Sequence, residues 1–432
     1  MFVYYLDLAR RSLGRNLALT ILMIVAIAFG VGASMTTLTV LHVLSGDPIP
    51  SKSRVLHYVQ LEHRKANDAK PREEPPQQST RLDAETLLRA GKADRQAMMT
   101  GGSAAIEPQR TGLAPFYVDG RWTSGDFFAM FELPFLAGTG WTADDDAHSV
   151  RVAVIARGLA DKLFGTVQVV GRSIRVEGAD LRITGVVEDW RPAPHFYDLN
   201  NGAYRKPEQL FVPFSTSREL KLSRSGNMNC WGETADNEAV GAPCEWIQFW
   251  VELGTDDKLD AYRNYLVHYS EEQKQAGRFQ LDPNVRLRNV MEWLDYKQVV
   301  PPDARLQVWL SLGFLLVCLI NTVGLLLTKF LRRSAEIGVR RALGASKRSI
   351  FVQLVVEAGT IGLVGGVLGL GLAWLGLLAV RHQPVAHADL AHLDVPMLIA
   401  TFALAVASSL LAGLLPAWRG CQVTPATQLK SH

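Results

Sequence analysis

The 432-residue sequence lacks the short motifs that identify several large enzyme classes. It has no GxxxxGK[ST] phosphate loop, so these residues cannot hydrolyse ATP by that chemistry, and no GxSxG nucleophile elbow. The acidic turn at 144–146 is not followed by the glycine and distal glutamate of an EF-hand, which favours a helix cap over a calcium site. His382, His387 and His392 recur every five residues, whereas metal-binding helices space histidines by four. We therefore predict no catalytic residue and no metal site.

Charged residues are scarce in four long apolar stretches, at 17–44, 306–330, 351–380 and 395–415. Each has about 20 residues or more, the length of helix that crosses about 30 Å of hydrocarbon. None has a charge in its centre, and the chain as a whole is 48% hydrophobic. The sequence therefore predicts four transmembrane helices. Spans so poor in charge argue against an ion channel or a secondary transporter, which need polar sites at the membrane midplane.

Lysine and arginine cluster before the first span, between the second and third, and after the fourth. The residues are Arg10, Arg11 and Arg15, then Lys329, Arg332, Arg333, Arg340, Arg341, Lys347 and Arg348, and finally Arg419 and Lys430. By the positive-inside rule these three segments are cytoplasmic, which places both termini inside and the block between the first two spans outside. A cleaved signal peptide is the alternative for the N-terminus. Its apolar run would be only about 7–15 residues long, so we favour a retained anchor.

These spans predict the organisation of the chain, an α-helical membrane protein with a large external α+β domain inserted between helices 1 and 2. The external block alternates strand-like and helical stretches, and its length fits two subdomains. The predicted segments are an interfacial elbow helix at 1–16, transmembrane helix 1 with a stalk at 17–45, the external domain at 46–304, transmembrane helix 2 at 305–331, a cytoplasmic helix at 332–349, transmembrane helix 3 at 350–380, a short external loop at 381–394, transmembrane helix 4 at 395–416, and a cytoplasmic tail at 417–432.

The chain has only four cysteines, and two of them lie in the external block. Cys230 and Cys244 flank a loop that contains glycine and asparagine, and in an oxidising compartment such a pair forms a local disulfide. Two free or buried thiols are the alternative. Cys318 lies inside the second span and Cys421 in the cytoplasmic tail, so we expect neither to pair.

The connection between the second and third spans, RRSAEIGVRRALGASKR at 332–348, is typical of a basic amphipathic helix. Glu336 lies four residues before Arg340, and Gly344 follows as a C-cap would. The apolar positions recur at helical spacing: Ile337, Val339, Ala342 and Leu343. A helix of this kind at the membrane surface can dock in a groove of a partner protein. An ordinary positive-inside loop is the alternative, and it explains the charge but not the spacing.

The third span is rich in glycine, and two spans contain a polar residue worth noting. Its small-xxx-small pairs predict close packing against another helix, either of this chain or of a second one. The glycines assigned to this packing are Gly362, Gly365, Gly366 and Gly369. Glu357 and Asn321 are functional candidates because ionisable and polar groups in lipid are rare. Glu357 lies about two turns from the cytoplasmic end of its span, so it could instead reach the interface.

The motifs resemble those of one known family. RRSAEIGVRRALGASKRSIFVQLVVEA is similar to the segment that joins the second and third membrane helices in the MacB/FtsX family of ABC transporter permeases. The external segment at 127–178, FFAMFELPFLAGTGWTADDDAHSVRVAVIARGLADKLFGTVQVVGRSIRVEG, resembles the periplasmic core domain of the MacB branch. The segment PAWRGCQVTPATQL at 416–429 also has the family's final proline pattern.

The resemblance implies the permease subunit of a MacB-like ABC transporter with no fused ATPase, in the bacterial inner membrane with its large domain in the periplasm. Such a subunit couples ATP hydrolysis by a separate cytoplasmic ATPase to motion of the periplasmic domain, which is mechanotransmission, and exports a periplasmic substrate. ATP and Mg would be bound by the partner, and no cofactor by this chain. The residues that the resemblance assigns to ATPase coupling are Arg332, Arg333, Glu336, Ile337, Gly338, Arg340, Arg341, Leu343, Gly344 and Ala345.

The implied partners are the ATPase, a second permease copy or paralogue that completes a dimer, membrane lipids, and as further candidates a periplasmic adaptor with an outer-membrane exit duct. We expect no nucleic acid partner. Two alternatives stay open at this point. The same architecture could serve lipoprotein release or activation of a cell-wall hydrolase. From a different class, the chain could be a membrane sensor whose external domain binds a ligand and whose basic loop binds a signalling protein.

Overall fold

The computed structural model describes residues 8, 12, 14, 16–64, 73–109, 112–383, 388–390, 392 and 395–422. Most of the predicted elbow helix, half of the short external loop and most of the cytoplasmic tail therefore lie outside the described residues. So do Arg10, Arg11, Arg15, His387 and Lys430. The chain divides into two compact units, one formed by Met1–Ser45 with Val300–His432 and the other by Gly46–Val299.

Helices occur in both units of the described chain. In chain order they are α1 (Leu17–Ser45), α2 (Arg81–Ala90), α3 (Phe127–Met130), α4 (Ala143–Ala147), α5 (Arg157–Phe164), α6 (Phe214–Glu219), α7 (Asp256–Gln275), α8 (Val290–Tyr296), α9 (Pro302–Arg332), α10 (Ser334–Ala342), α11 (Lys347–Arg381) and α12 (Val395–Cys421).

The first unit, which we call the membrane unit, contains the helices that can span a membrane. Among the described residues, α1, α9, α11 and α12 are long and apolar enough to do so. Local sequence signals set the ends of two of them. Pro302 stands at the first turn of α9, where its missing N–H costs nothing, and the Ser346 hydroxyl caps α11 by accepting a hydrogen bond from the backbone N–H of Ser349.

The glycines of α11 bring the backbones of α1 and α12 close. A side-chain carbon added at Gly362 would lie 1.8 Å from the hydroxyl oxygen of Ser409 on α12, and one added at Gly366 would also meet α12. The same addition at Gly365 or Gly369 would meet α1. These four glycines therefore contact helices of the same chain, on two sides of α11, and larger residues would separate the helices.

The second unit, which we call the external unit, is built in its described residues on one 13-stranded sheet. Its strands are β1 (Leu56–Gln60), β2 (Ser79–Thr80), β3 (Arg95–Ile106), β4 (Phe116–Thr123), β5 (Phe135–Gly138), β6 (Val152–Ala156), β7 (Ser173–Val176), β8 (Ala179–Val187), β9 (Leu210–Pro213), β10 (Ser223–Ser225), β11 (Asn229–Cys230), β12 (Cys244–Glu252) and β13 (Arg286–Asn289). The main path runs β13-β1-β12-β3-β4-β9-β6-β8-β5. Most pairs are antiparallel, but β4 pairs with β9, and β6 with β8, in parallel.

The core of this unit lies on both faces of the sheet. In β6, Ala153 and Ile155 belong to one hydrophobic cluster, whereas Val152 and Val154 belong to another. Because successive residues of a strand point to opposite faces, each cluster covers one face. Both faces are therefore buried, which explains the unbroken apolar run of this strand. Where the sequence predicted two subdomains, the structure has one compact unit, since a continuous sheet runs through it.

The two external cysteines are bonded to each other in a local hairpin. Cys230 on β11 lies opposite Cys244 on β12, and the two sulfurs are 2.02 Å apart. Antiparallel pairing of these short segments brings the cysteines together. Cys318 and Cys421 are free and buried in the other unit.

Candidate functional site

Helix α10 occupies the connection between α9 and α11, where the sequence predicted a coupling helix. Gly344 ends it with a φ of +99°, in the left-handed region that glycine adopts without strain. The N–H of Gly344 donates to the carbonyl of Arg341 at 3.1 Å, and the N–H of Ala345 donates to the carbonyl of Arg340 at 3.1 Å. These two bonds satisfy carbonyls at the end of the helix and turn the chain toward α11.

Helix α10 has one buried face and one exposed face. Ile337 and Gly338 are buried in the membrane unit, whereas the exposed fraction is 61% for Val339 and 84% for Leu343. Ala335 and Ala342 are exposed beside them. We call the four exposed residues, at i, i+4, i+7 and i+8, the coupling stripe: Ala335, Val339, Ala342 and Leu343.

Ile337 lies on the buried face of α10, contrary to its assignment from the sequence. The resemblance assigns Ile337 to ATPase coupling, but Ile337 is only 6% exposed and packs in the core of this chain, so it does not fill a partner's groove. Helical spacing alone did not separate the two faces, because Ile337 and Val339 lie on opposite sides of a helix that is apolar on both. Val339 and Leu343 are the large apolar residues of α10 that a partner can reach.

A group of charged and hydroxyl side chains lies inside the membrane unit next to the start of α10. The carboxylate of Glu357 is fully buried, 2.8 Å from Nζ of Lys329 and 3.1 Å from a guanidinium nitrogen of Arg333. The hydroxyl of Ser12 donates to Glu357 at 2.5 Å, and Lys329 donates to the hydroxyl of Thr20 at 3.3 Å. We call these five residues the buried ion cluster. Buried charges need such partners, because removing an ion from water costs several kcal/mol.

The buried ion cluster continues into α10 through Arg333. This guanidinium also donates to Glu336 at 3.3 Å. Arg340 donates to the same carboxylate at 2.9 Å, as the four-residue spacing predicted, and to Gln353 on α11 at 3.2 Å. Side chains therefore connect α10 to both neighbouring spans, in addition to the backbone.

Two charged residues are more buried in the protein than the sequence indicates. The charge pattern places Lys329 among the cytoplasmic charges, and for Glu357 it leaves open a functional role in the span or a position at the interface. Both side chains are fully buried in the protein. A usable signal was present, because Lys329 on α9 and Arg333, the residue that follows this helix, are one turn apart and can meet a single acid on the next span. Asn321, the other polar residue noted in the spans, is exposed and lies outside the buried ion cluster.

The external unit contains a second buried group of charges, which the sequence reasoning missed. Arg121 on β4 is fully buried, donates to Asp198 at 2.8 Å and also donates to Glu208. The hydroxyl of Tyr197 donates to Glu208 at 3.1 Å, and the Nε2 of His195 lies 3.5 Å from it. Parallel pairing of β4 with β9 joins segments 87 residues apart, so no local pattern could reveal this group.

Glu208 gives the external unit an expected pH dependence. Burial alone would raise its pKa, but the charge of Arg121, together with the nearby His195 ring and the hydrogen bonds from Arg121, outweighs burial and lowers the pKa from 4.5 to about 2. A carboxyl whose pKa is lower in the folded state stabilises the fold above its unfolded pKa, and this stability is lost as the pH falls through the folded value. We expect roughly 3 kcal/mol to be lost between pH 4.5 and pH 2.

The measurement is denaturant unfolding of the full chain in detergent, followed by tryptophan fluorescence at several pH values across this window. Glu208→Gln serves as the comparison, because other carboxylates also titrate there. The variant should be less stable at pH 6 and show a flatter decline toward acid pH. If the unfolding free energy of the wild type and of Glu208→Gln fell equally steeply toward acid pH, the pH dependence could not be assigned to Glu208.

Two family models match the chain over most of its length. Residues 20–267 match the MacB-like periplasmic core domain, and residues 308–425 match the FtsX-like permease C-terminal domain. The chain belongs to the MacB/FtsX family of ABC transporter permeases. The predicted family is thereby confirmed, and so is the predicted architecture, in which this MacB-like permease has one helix, a periplasmic α+β domain and three further helices.

Curated relatives of this MacB-like permease are named as exporters. The macrolide export ATP-binding/permease protein MacB of Azoarcus sp. is 24% identical over 315 residues, covering 72% of this chain and 42% of the relative. The pyoverdine export ATP-binding/permease protein PvdT of Pseudomonas entomophila is 26% identical over 340 residues, covering 77% of this chain and 45% of the relative. The chain thus spans less than half the length of the curated relatives it matches.

Solved structures similar to this chain include the periplasmic region of MacB from Actinobacillus actinomycetemcomitans. The two align with a TM-score of 0.37 and 16% identity, over 59% of this chain and 96% of that one.

Proposed function

We propose that this MacB-like permease couples ATP hydrolysis by a separate cytoplasmic ABC ATPase to motion of its periplasmic domain, and thereby exports a periplasmic substrate. ATP and Mg are bound by the ATPase. The permease works as a dimer, with both termini and α10 in the cytoplasm. The positive-inside distribution of lysine and arginine supports this orientation.

The coupling stripe carries this proposal. Val339 and Leu343 are exposed on a short helix whose opposite face is anchored in the membrane unit. Apolar side chains spaced along one face of a helix can anchor it in a hydrophobic groove of a partner. Arg332 is exposed at the start of α10 and places a positive charge beside the stripe, which suits an acidic group on the ATPase.

The buried ion cluster supplies a physical route for transmission. When ATP closes the two ATPase subunits, each moves the α10 that it holds. Arg340 of α10 contacts Gln353 on α11, and Arg333 contacts both Glu336 of α10 and Glu357 on α11, so a displacement of α10 acts on α11 through side chains. The contact of Glu357 with Lys329 continues this connection to α9. Helix α9 precedes α10 directly and leads back to the periplasmic domain, so motion of α10 reaches that domain along a continuous helix.

Export is favoured over lipoprotein release and hydrolase activation, because the curated relatives are named as macrolide and pyoverdine exporters. In this scheme the substrate is taken from the periplasm or the outer leaflet and does not cross the inner membrane through this chain. A periplasmic adaptor and an outer-membrane duct are candidate partners for its exit.

The proposal is tested by purifying the tagged full chain from its native membranes in mild detergent and identifying the copurified proteins by mass spectrometry. The wild type should recover an ATPase that contains a phosphate loop. Val339→Asp/Leu343→Asp places two charges on the exposed stripe without disturbing the buried face, and it should reduce ATPase recovery more than about tenfold. Charge reversal with Arg340→Glu/Arg341→Glu should also weaken recovery.

Lys347→Asp is the matched control, since Lys347 is exposed on the same connection but lies outside the coupling stripe. It should retain most of the ATPase. Equal recovery by all variants would exclude docking on the stripe. Recovery of a signalling protein without a phosphate loop would instead support the sensor alternative.

A further inference from the structure

Asn321 is an exposed amide in the middle of a membrane span. It lies on α9, 16 residues after Arg305 and 11 residues before Arg332, the charges near the two ends of that helix. At 1.5 Å per residue these separations are about 24 Å and about 16 Å, so Asn321 lies within the hydrocarbon layer. Its side chain points away from the core of the membrane unit.

Among the described residues, no hydrogen-bond partner contacts the Asn321 amide. Thr328 is exposed on the same side of α9, but its polar group has a hydrogen-bond partner within the helix, because its hydroxyl donates to the carbonyl of Gly324 at 2.9 Å. An asparagine amide carries two donors and an acceptor, and lipid tails can satisfy none of them. The amide therefore favours a protein neighbour over lipid at this position.

The surface around Asn321 permits another helix to approach closely. Gly313 and Gly324 lie on the same face of α9, and a side-chain carbon added at either would meet nothing within 4 Å. Val317, one turn before Asn321, is 54% exposed. The glycines of α11 assigned to helix packing are in contact with α1 and α12 of the same chain, so they offer no comparable open surface.

We propose that this face of α9 is the contact between two copies of this chain in the membrane, with Asn321 of each copy hydrogen-bonded to Asn321 of the other. A twofold axis brings the same residue of both copies together, so a residue at the axis must complement itself. An amide does so, because its N–H donates to the neighbour's carbonyl while its own carbonyl accepts. A second copy supplies the missing partner without any other protein. This inference rests on the dimer included in the proposed function.

The test is disulfide cross-linking in native membranes. The starting protein carries Cys318→Ala and Cys421→Ala, which removes the free thiols and leaves the Cys230–Cys244 bond intact. Asn321→Cys in this background should form, on mild oxidation, a reducible species of twice the 47.6 kDa chain mass. When two differently tagged copies are coexpressed, that species should carry both tags.

Leu316→Cys is the matched control, because Leu316 is also exposed, at 58%, on the same helix but about 140° around its axis from Asn321. It should stay monomeric under the same oxidation. Equal cross-linking at both positions, a cross-link to a different protein, or no cross-link at Asn321→Cys would each overturn the proposal.

A second measurement leaves the cysteines untouched. Fluorescently labelled copies in lipid vesicles are diluted with lipid, and energy transfer reports the fraction of dimer. Asn321→Leu should weaken association about three- to fifteen-fold, and Asn321→Gln should weaken it less, because glutamine keeps the amide. A dissociation constant for Asn321→Leu within twofold of the wild type would count against the hydrogen bond.

The two proposals fail in distinguishable ways. If the ATPase copurifies but Asn321→Cys does not cross-link, the position of the dimer contact is wrong while the coupling function stands. If the cross-link forms but no ATPase is recovered, the dimer stands without the proposed motor.

Discussion

Replacing Glu357 with glutamine is expected to destabilise the membrane unit by about 3–5 kcal/mol. The substitution keeps the shape of the side chain but removes the negative charge that holds Lys329 and Arg333. Nζ of Lys329 lies 2.8 Å from the carboxylate and the Arg333 guanidinium 3.1 Å from it. Without this anion two like charges remain one turn apart, and Lys329 is fully buried. The loss should appear as lower abundance in membranes and a lower midpoint of unfolding in mixed detergent micelles.

A double substitution separates the lost ion pair from the unpaired charge. Lys329→Met/Glu357→Met replaces both buried charges by apolar side chains of similar size, which is often neutral for stability. We expect it to recover most of the stability lost in Glu357→Gln. If Glu357→Gln alone unfolds at the wild-type midpoint, the buried ion cluster does not stabilise this unit.

The same double substitution tests whether the buried ion cluster transmits the motion of α10 to the neighbouring helices. It should leave the coupling stripe intact, so the ATPase should still copurify. The link from Arg333 to α11 through Glu357 is gone, however, so substrate export and its stimulation of ATP hydrolysis should fall. Normal export by a stable double variant would show that the backbone alone transmits the motion of α10.

Replacing Arg121 with methionine is expected to cost the external unit about 3–5 kcal/mol. Arg121 is the cation between Asp198 and Glu208, and all three side chains are buried. Its removal leaves two carboxylates close together, without the charge that lowers the pKa of Glu208. The midpoint of thermal unfolding of the external unit should fall by about 10 °C, at roughly 2–4 °C per kcal/mol for a domain of this size. Tryptophan fluorescence can follow it, because Trp122 and Trp250 are buried in this unit.

Arg121→Lys is the comparison for this prediction. Lysine keeps the charge but not the planar fork that reaches two carboxylates at once, so an intermediate loss is expected. If Arg121→Met is as stable as the wild type, the buried carboxylates bind protons or other hydrogen-bond donors at little cost in stability.

Local patterns predicted the parts of the molecule that depend on neighbouring residues. The spans follow from runs of apolar residues, and α10 follows from helical spacing that ends at Gly344, so both could be predicted from the sequence. The burial of individual charged side chains could not be predicted from such local patterns. Lys329 has the sequence position of an interfacial charge, and only its contact with Glu357 on the following span shows that it is buried.

Contacts between distant segments were beyond sequence reasoning for a related reason. Arg121 and Glu208 have no common local pattern, because they meet only when β4 and β9 pair. The spacing of Ile337 and Val339 showed a helix but not which residue would face the protein. Tertiary packing determines which face of a helix is buried and which distant residues meet, and local patterns in a single sequence do not show this packing.

The external unit is inserted in the sequence between the first and second helices of the membrane unit, and this order has a consequence for synthesis of the protein. α1 ends at Ser45, and its neighbour α9 begins only at Pro302. At about 5–20 residues per second, roughly 10–50 s separate the completion of α1 from the start of α9. During that interval α1 must reside in the bilayer alone, while Ser34 and Thr37 lack the bonds that they later form with Ser311. We expect the insertion machinery or a membrane chaperone to hold this helix until the rest of the chain arrives.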